Sequence, residues 1–507
     1  MLSILPVIAV VRRNFASRAH ANRVRTDGLI VEEDYVTGPA SDNTSSADDQ
    51  TSPQVTTLII FGATGDLTKR LLLPALGQLL GLEPDLNVRL IGVGRHDLTD
   101  DQWRDKVREA FADERSDAGD RVVEQTVYRR GDPTDADDLR SVLSDIDGRP
   151  VLYFAVPPSV TRKACEALRD VDLPPGTTLA PEKPFGSDQK SARELNELLL
   201  ELVPENQIYR VDHFLGQSVL LDLLGVRLAN RVFEPVWSGT HIESVVIRYD
   251  ESLGLEGRAG YYDGVGALQD MIQSHLLQLV AVVAMEPPAT LGERDLRDAI
   301  GAALRAVHIW DDDAVASSRR ARYTAGEAGG EQLPNYVDED GVDASNNTET
   351  LAEATFEVRT NRWQGVPFTL RSGKALDPEA KEIVLTFRPL RHVPEQFEDQ
   401  VEPNVLRFTF GHDAMSVRLN VHRGSHPFAL KTVDLDADFG NASMRAYAEV
   451  LSGIIKGDET LAVRGDAAEE CWRIVDPIVD AWRANKVPID DYAAGSAGPD
   501  AWPTLPL

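Results

Sequence analysis

Between residues 55 and 80 an apolar strand, a glycine turn and a helix follow one another, and this order constrains the fold more than any other feature. Residues 55–61, Val-Thr-Thr-Leu-Ile-Ile-Phe, contain β-branched members and read as a buried strand. The run ends at Gly62-Ala-Thr64-Gly65-Asp66-Leu67-Thr-Lys69, after which a helix carries apolar positions at Leu71, Leu72, Ala75, Leu76, Leu79 and Leu80. The glycines permit a tight turn and close backbone approach to a pyrophosphate, which N–H groups at a helix start can bind. Gly-x-x-Gly is shorter than the three-glycine fingerprint, so the turn alone leaves other uses open. A second strand over 88–93 ends at Gly94, Arg95 and His96, where NAD enzymes often place an acid for the ribose hydroxyls. Arg95 instead suits a 2′-phosphate and favours NADP, although its interval from Gly62 exceeds the usual roughly 20 residues. An exposed loop arginine is the alternative. A further strand over 151–156 stops at Pro157 and Pro158, which halt sheet pairing at an end suited to a ligand. Strands alternating with helical stretches predict a doubly wound α/β sheet.

A chain of 507 residues is long enough for two or three domains. Its net charge of −30 argues against nucleic acid or an anionic membrane as partner. Ten lysines stand against 42 arginines, with acidic runs at 311–313 and 338–340. This balance resembles proteins of salt-rich cytoplasm, where molar salt screens carboxylate repulsion within about 3 Å; a merely acidic protein is the other reading. Cys165 and Cys471 lie too far apart to suggest a metal or redox motif, which fits a reducing cytoplasm. Residues 1–26 hold five arginines and no acid, and 32–54 are rich in Asp, Ser, Thr and Pro. Residues 1–54 are therefore read as a disordered extension or a start assigned too early, with a targeting presequence as a lesser alternative.

Three segments bear on chemistry. Residues 209–216, Tyr-Arg-Val-Asp-His-Phe-Leu-Gly, place Asp212 and His213 among apolar neighbours; 182–186 read Glu-Lys-Pro-Phe-Gly; and 270–278 carry Asp270 and His275. With blocks at 62–69, 227–231, 256–261, 366–374 and 471–474, these resemble the glucose-6-phosphate dehydrogenase family from about residue 55 to 499. The resemblance implies an NADP-binding Rossmann-like domain over 55–210 and a larger α+β substrate and oligomerisation domain over 211–507. Strand-like runs at 241–249, 382–387 and 405–410, without regular intervening helices, also favour a mostly antiparallel sheet there. A cytoplasmic homodimer or homotetramer is implied, with a sugar phosphate as ligand and no metal.

In that family a hydride leaves C1 of the sugar for the nicotinamide as the C1 hydroxyl loses a proton, giving a lactone. The resemblance makes His275 the base and Asp212 its partner, a combination suited to proton transfer near neutrality. It gives His213, Gln217 and Lys374 to the substrate phosphate, Lys183 to both sugar and nicotinamide, and Glu256 and Asp270 to the sugar hydroxyls. Gly62, Thr64, Gly65, Asp66, Leu67, Arg95 and Pro157 fall to the cofactor. Read without the family, His275 is a helix histidine among leucines, and the acids and lysines are surface charges. Phe214 and Gln217 depart from the family's usual Tyr and Lys, and Gln269 and Ser274 stand where Arg and Asn are common. Each lost charged contact weakens phosphate recognition about ten- to a hundred-fold unless replaced. Two rivals follow: the same chemistry on an unphosphorylated or other aldose, and a non-catalytic nucleotide-binding paralogue.

Overall fold

The computed structural model describes residues 55–505 apart from 412, 425 and 441–443, so the expectations for 1–54 lie outside the described residues. Strands β1 (Thr56–Phe61), β2 (Val88–Gly94), β3 (Val127–Arg130), β4 (Arg149–Phe154) and β5 (Thr178–Pro181) form a parallel sheet in the order β3-β2-β1-β4-β5. β1 is apolar after its two threonines because it is paired on both edges and covered on both faces. One cover contains the helices Leu73–Leu82, Asp100–Ala110 and Asp117–Gln125; the other contains Ala136–Leu143, Pro158–Leu168 and Gln189–Leu202. The order reverses direction beside β1, where a doubly wound sheet opens a crevice at its carboxyl ends. Leu71, read as part of the apolar helix face, is 45 % exposed. Thr68–Leu72 is a π-helical turn, and its wider winding puts Leu71 out of phase with the α-helix that follows.

The second sheet uses β6 (Ile242–Asp250), β7 (Val307–Ile309), β8 (Ser318–Thr324), β11 (Leu351–Val358), β12 (Phe368–Gly373), β13 (Ala380–Phe387), β14 (Val405–Thr409), β15 (Ala414–His422), β16 (Leu430–Asp438) and β17 (Ile489–Ala493); β9 (Gly326–Ala328) and β10 (Glu331–Leu333) form a separate ribbon. Most pairs are antiparallel, while β12 with β6 and β17 with β8 are parallel. One face, with Val245, Ile247, Ile383 and Leu385, packs on helices that include Leu277–Ala284 and Gly465–Arg483. The alternate residues Arg248, Asp250, Glu382 and Arg371 form ion pairs on the opposite face. Regular helices do intervene after β6. The run Leu277–Ala284 is buried on every side and so lacks the polar stripe that marks a surface helix in sequence.

After β16 the chain returns to the first sheet. Ala448, Val450, Leu451 and Ile454 of the helix Ala446–Lys456 join the core that contains Leu58, Ile60 and Leu76. Arg210, wholly buried, lies beside this return: its carbonyl accepts from the Val463 N–H at 3.1 Å, and its guanidinium donates to Glu205 at 2.8 Å and Asn196 at 2.8 Å. Arg297 bridges the same Glu205, at 3.2 Å, to Glu459, at 3.3 Å. Among the described residues no helix is long and apolar enough to cross a membrane. Arg210→Met removes one member of this buried network and is expected to destabilise the fold by about 3 kcal/mol, read from the urea midpoint.

Candidate active site

The short β5 delivers Glu182 and Lys183 to the carboxyl end of the parallel sheet, and a bridge from Glu182 to Val211 brings Asp212 alongside. Asp212 caps the 3₁₀ turn His213–Gly216, and its Oδ1 accepts from the Phe214 N–H at 3.0 Å. The same oxygen lies 2.5 Å from His275 Nδ1, and both side chains are only 1 % exposed. His275 and Asp270 lie on the π-helical segment Leu268–Leu276. In that winding each N–H reaches back five residues, so two side chains five apart share one side.

Asp270 receives Lys183 twice, at 2.7 Å on its carbonyl and 2.9 Å on Oδ1, and Tyr261 donates to the same carboxylate at 3.2 Å. Burial opposes charge on both partners, but their mutual attraction outweighs it. Asp270 stays below the ordinary carboxylate range, and Lys183 is pushed up to about 12. Burial likewise acts against Asp212, yet the adjoining His275 ring holds its carboxyl below the usual range. Burial pushes the His275 imidazole below its ordinary value against the opposing pull of Asp212, leaving the ring neutral at pH 7. With Asp212 ionised, Nδ1–H donates to it and Nε2 is left as the basic atom.

Lys183, Asp212, His213, Asp270 and His275 therefore converge. The His213 ring meets His275 edge-on at 4.9 Å. Phe214 is more than a missing hydroxyl: its ring stacks on His275 at 4.0 Å and packs against Tyr249 and Phe410. Lys374 is buried and paired with Glu251 at 2.8 Å, and its charge helps to depress Asp270. Gln217 is half-buried at the start of the helix Ser218–Ala229. Glu256, at φ 49°, pairs instead with Arg258 at 3.1 Å. Sequence reasoning missed Tyr447, whose ring stacks on His213 at 5.1 Å, and Tyr153, which donates to Glu182 at 2.6 Å. Glu182 lay inside a quoted motif without a role. Tyr447 carried no local signal, because only the returning helix brings it here.

At the crevice, Gly62 has φ +87°, and a Cβ there would lie 2.1 Å from the Ala155 carbonyl oxygen, so the turn is open to glycine alone. Thr64, Gly65 and Asp66 are exposed, Leu67 is half-exposed, and Pro157 precedes the helix Pro158–Leu168 at the end of β4. Arg95 is exposed directly after β2, and the neighbouring His96 Nδ1 lies 3.0 Å from Thr64 Oγ1. This backbone-lined turn at the switch point fits a dinucleotide.

A dinucleotide crevice joined to a buried carboxylate–imidazole pair defines an oxidoreductase of the nicotinamide-dependent class. The sequence matches the model described as glucose-6-phosphate dehydrogenase, NAD binding domain, over residues 59–221, and the model of its C-terminal domain over 224–505. The chain belongs to the glucose-6-phosphate dehydrogenase family. It is 39 % identical to the glucose-6-phosphate 1-dehydrogenase of Gluconobacter oxydans over 467 residues, 87 % of this chain and 94 % of that one. Identity to the Zymomonas mobilis enzyme is 35 %, covering 88 % and 96 %. The crystal structure of the Mycobacterium avium enzyme matches with TM-score 0.76 at 35 % identity, covering 89 % and 96 %. A glucose-6-phosphate dehydrogenase in complex with its substrate glucose-6-phosphate matches with TM-score 0.78 at 26 % identity, covering 88 % and 96 %.

Asp212→Asn is expected to lower kcat by about 10²- to 10⁴-fold. Because Asp212 raises the His275 value, its loss should also move the acid limb of the kcat profile to lower pH. Steady-state kinetics between pH 5 and 8 check both.

Proposed function

We propose that this chain oxidises glucose 6-phosphate at C1 to 6-phosphoglucono-lactone with hydride transfer to NADP, the first step of the oxidative pentose phosphate pathway. The carrying observation is the Asp212–His275 pair at 2.5 Å beside Lys183–Asp270, in a chain of this family. His275 Nε2 takes the C1 hydroxyl proton, and Asp212 steadies the imidazolium that forms. The nicotinamide supplies the hydride acceptor when bound. Lys183 lies between sugar and cofactor, with Asp270 and Glu256 as acceptors for sugar hydroxyls and with His213, Gln217 and Lys374 toward the phosphate.

Cofactor recognition is assigned to Gly62, Thr64, Gly65, Asp66, Leu67, Pro157 and Lys183, with Arg95 taking the 2′-phosphate. The positive, exposed position directly after β2 supports NADP over NAD. The reading divides the chain near residue 210, with an NADP-binding domain over 55–210 and a substrate and oligomerisation domain over 211–507. A homodimer or homotetramer in a salt-rich cytoplasm completes the reading. It is supported by partly open apolar residues on the outer strands, Met415, Val417 and the 56 % exposed Leu435, and by the net charge of −30.

The test follows reduced-nicotinamide absorbance in concentrated potassium chloride with glucose 6-phosphate or glucose, each with NADP or NAD. Glucose 6-phosphate with NADP is expected to give the highest kcat/KM. Equal or better turnover of glucose would overturn the phosphorylated substrate. Arg95→Ala should raise the NADP KM about ten- to a hundred-fold and leave the NAD KM nearly unchanged. Light scattering in the same buffer should give at least twice the mass of one chain, and activity should fall on dilution of the salt.

A further inference from the structure

Behind His213 lies a carboxylate that the chemistry above does not use. Glu182 accepts from Tyr153 of β4 at 2.6 Å, and the Tyr447 phenol lies near enough for the two groups to shift each other's ionisation. Tyr447 comes from the returning helix, is 8 % exposed, and lies face to face with the His213 ring at 5.1 Å and 12°. Glu182 therefore sits where three elements meet: the parallel sheet, the lysine loop and the returning helix. It also stands close enough to Asp212 for the two negative charges to repel. We propose that Glu182, held beside Asp212 by the bridge to Val211 and by the Tyr153 bond, governs phosphate binding at the His213 end of the site. Protonated, it admits a phosphate dianion; ionised, it adds a second negative charge beside Asp212 and weakens that binding.

The groups facing Glu182 are Tyr153, Lys183, Asp212 and Tyr447, and His275 and Asp270 follow through their contacts with Asp212 and Lys183. Burial pushes Tyr153 and Tyr447 far above the ordinary phenol range. Lys183 stands at about 12, Asp212 and Asp270 stay ionised, and burial pushes His213 down to about 3 and His275 below its ordinary value. None of these changes charge between pH 6.5 and 8.5. Glu182 is half-buried and closely surrounded by protein atoms, and burial pushes its carboxyl up to about 7 against the opposing bond from Tyr153. One negative charge thus appears behind the phosphate pocket as pH rises through neutrality.

The inference rests on the proposed substrate, and Glu182→Gln tests it by preserving shape while removing the charge. The ratio of wild-type to Glu182→Gln KM for glucose 6-phosphate cancels the sugar's own phosphate titration. This ratio is expected to rise about tenfold between pH 6 and 8.5. Calorimetry at pH 7.5 in two buffers of different ionisation enthalpy should show wild type taking up more protons than the variant when glucose 6-phosphate binds. Tyr153→Phe keeps Glu182 but removes a bond that favours its charge, so it should move the wild-type rise in KM to higher pH. A flat KM ratio with equal proton uptake would overturn the role of Glu182 while leaving the proposed function intact. Absence of both turnover and binding of glucose 6-phosphate by wild type would overturn both.

Discussion

A carboxylate and an imidazole withdrawn together from water impose conditions on everything around them, and Asp212 with His275 is that pair here. An ionised group in this setting is stable only when its lone pairs are occupied and opposite charge is near. Asp212 meets the first condition with one oxygen, which accepts both the His275 ring and the Phe214 N–H. The second is met at a distance by Lys183, whose ammonium is fixed on Asp270. Two acids, one lysine and two histidines form a single electrostatic unit. A change at any member alters the protonation of the others, and this is why pH profiles report on the site more directly than rates at one pH.

The π-helical segment is the backbone device that makes this unit possible. Leu268 is anchored by its N–H to buried Glu349 at 3.0 Å, and Ser274 turns its hydroxyl back to the Asp270 carbonyl at 3.2 Å. That carbonyl also receives Lys183. Ordinary α-helical winding would turn Asp270 and His275 away from each other, because side chains on one face are three or four residues apart. The wider turn places them together, and the fully buried helix Leu277–Ala284 anchors its end in the core of the second sheet. Irregular winding here is the geometry of the site itself.

Much of this was legible because the informative residues occur in short, local patterns. The strand, Gly62 turn and helix declared the first sheet, and segments 182–186, 209–216 and 270–278 named the members of the cluster. What escaped has two physical causes. Some positions depend on phase: Leu71 reads as core under α-helical periodicity but stands in solvent after a π turn. Others depend on long-range return of the chain: Tyr447 reaches His213 only once the helix Ala446–Lys456 has packed beside β1, and Arg297 meets Glu205 and Glu459 across 92 and 162 residues. Phe214 falls between these cases. The residue was noticed, but as a lost hydroxyl, because a stacking contact with His275 cannot be read from a neighbour list in one dimension.

These contacts separate two ends of the cluster. The end at His275 is over-determined: the ring is fixed by Asp212 at its edge, by Phe214 on its face and by the π-helical backbone. The end toward His213 and Gln217 is assembled from the 3₁₀ turn, the start of the next helix and an aromatic ring carried by a distant segment. Packing fixes the first end tightly, so a substitution there disturbs several contacts at once. The second end contains polar and aromatic groups that meet across separate elements, and one of them can change while the others keep their places. Substitutions at Phe214 and Gln217 therefore have different consequences although they lie three residues apart. The first reshapes the support of His275, whereas the second alters a half-buried side chain at a helix start and leaves the Asp212–His275 geometry in place.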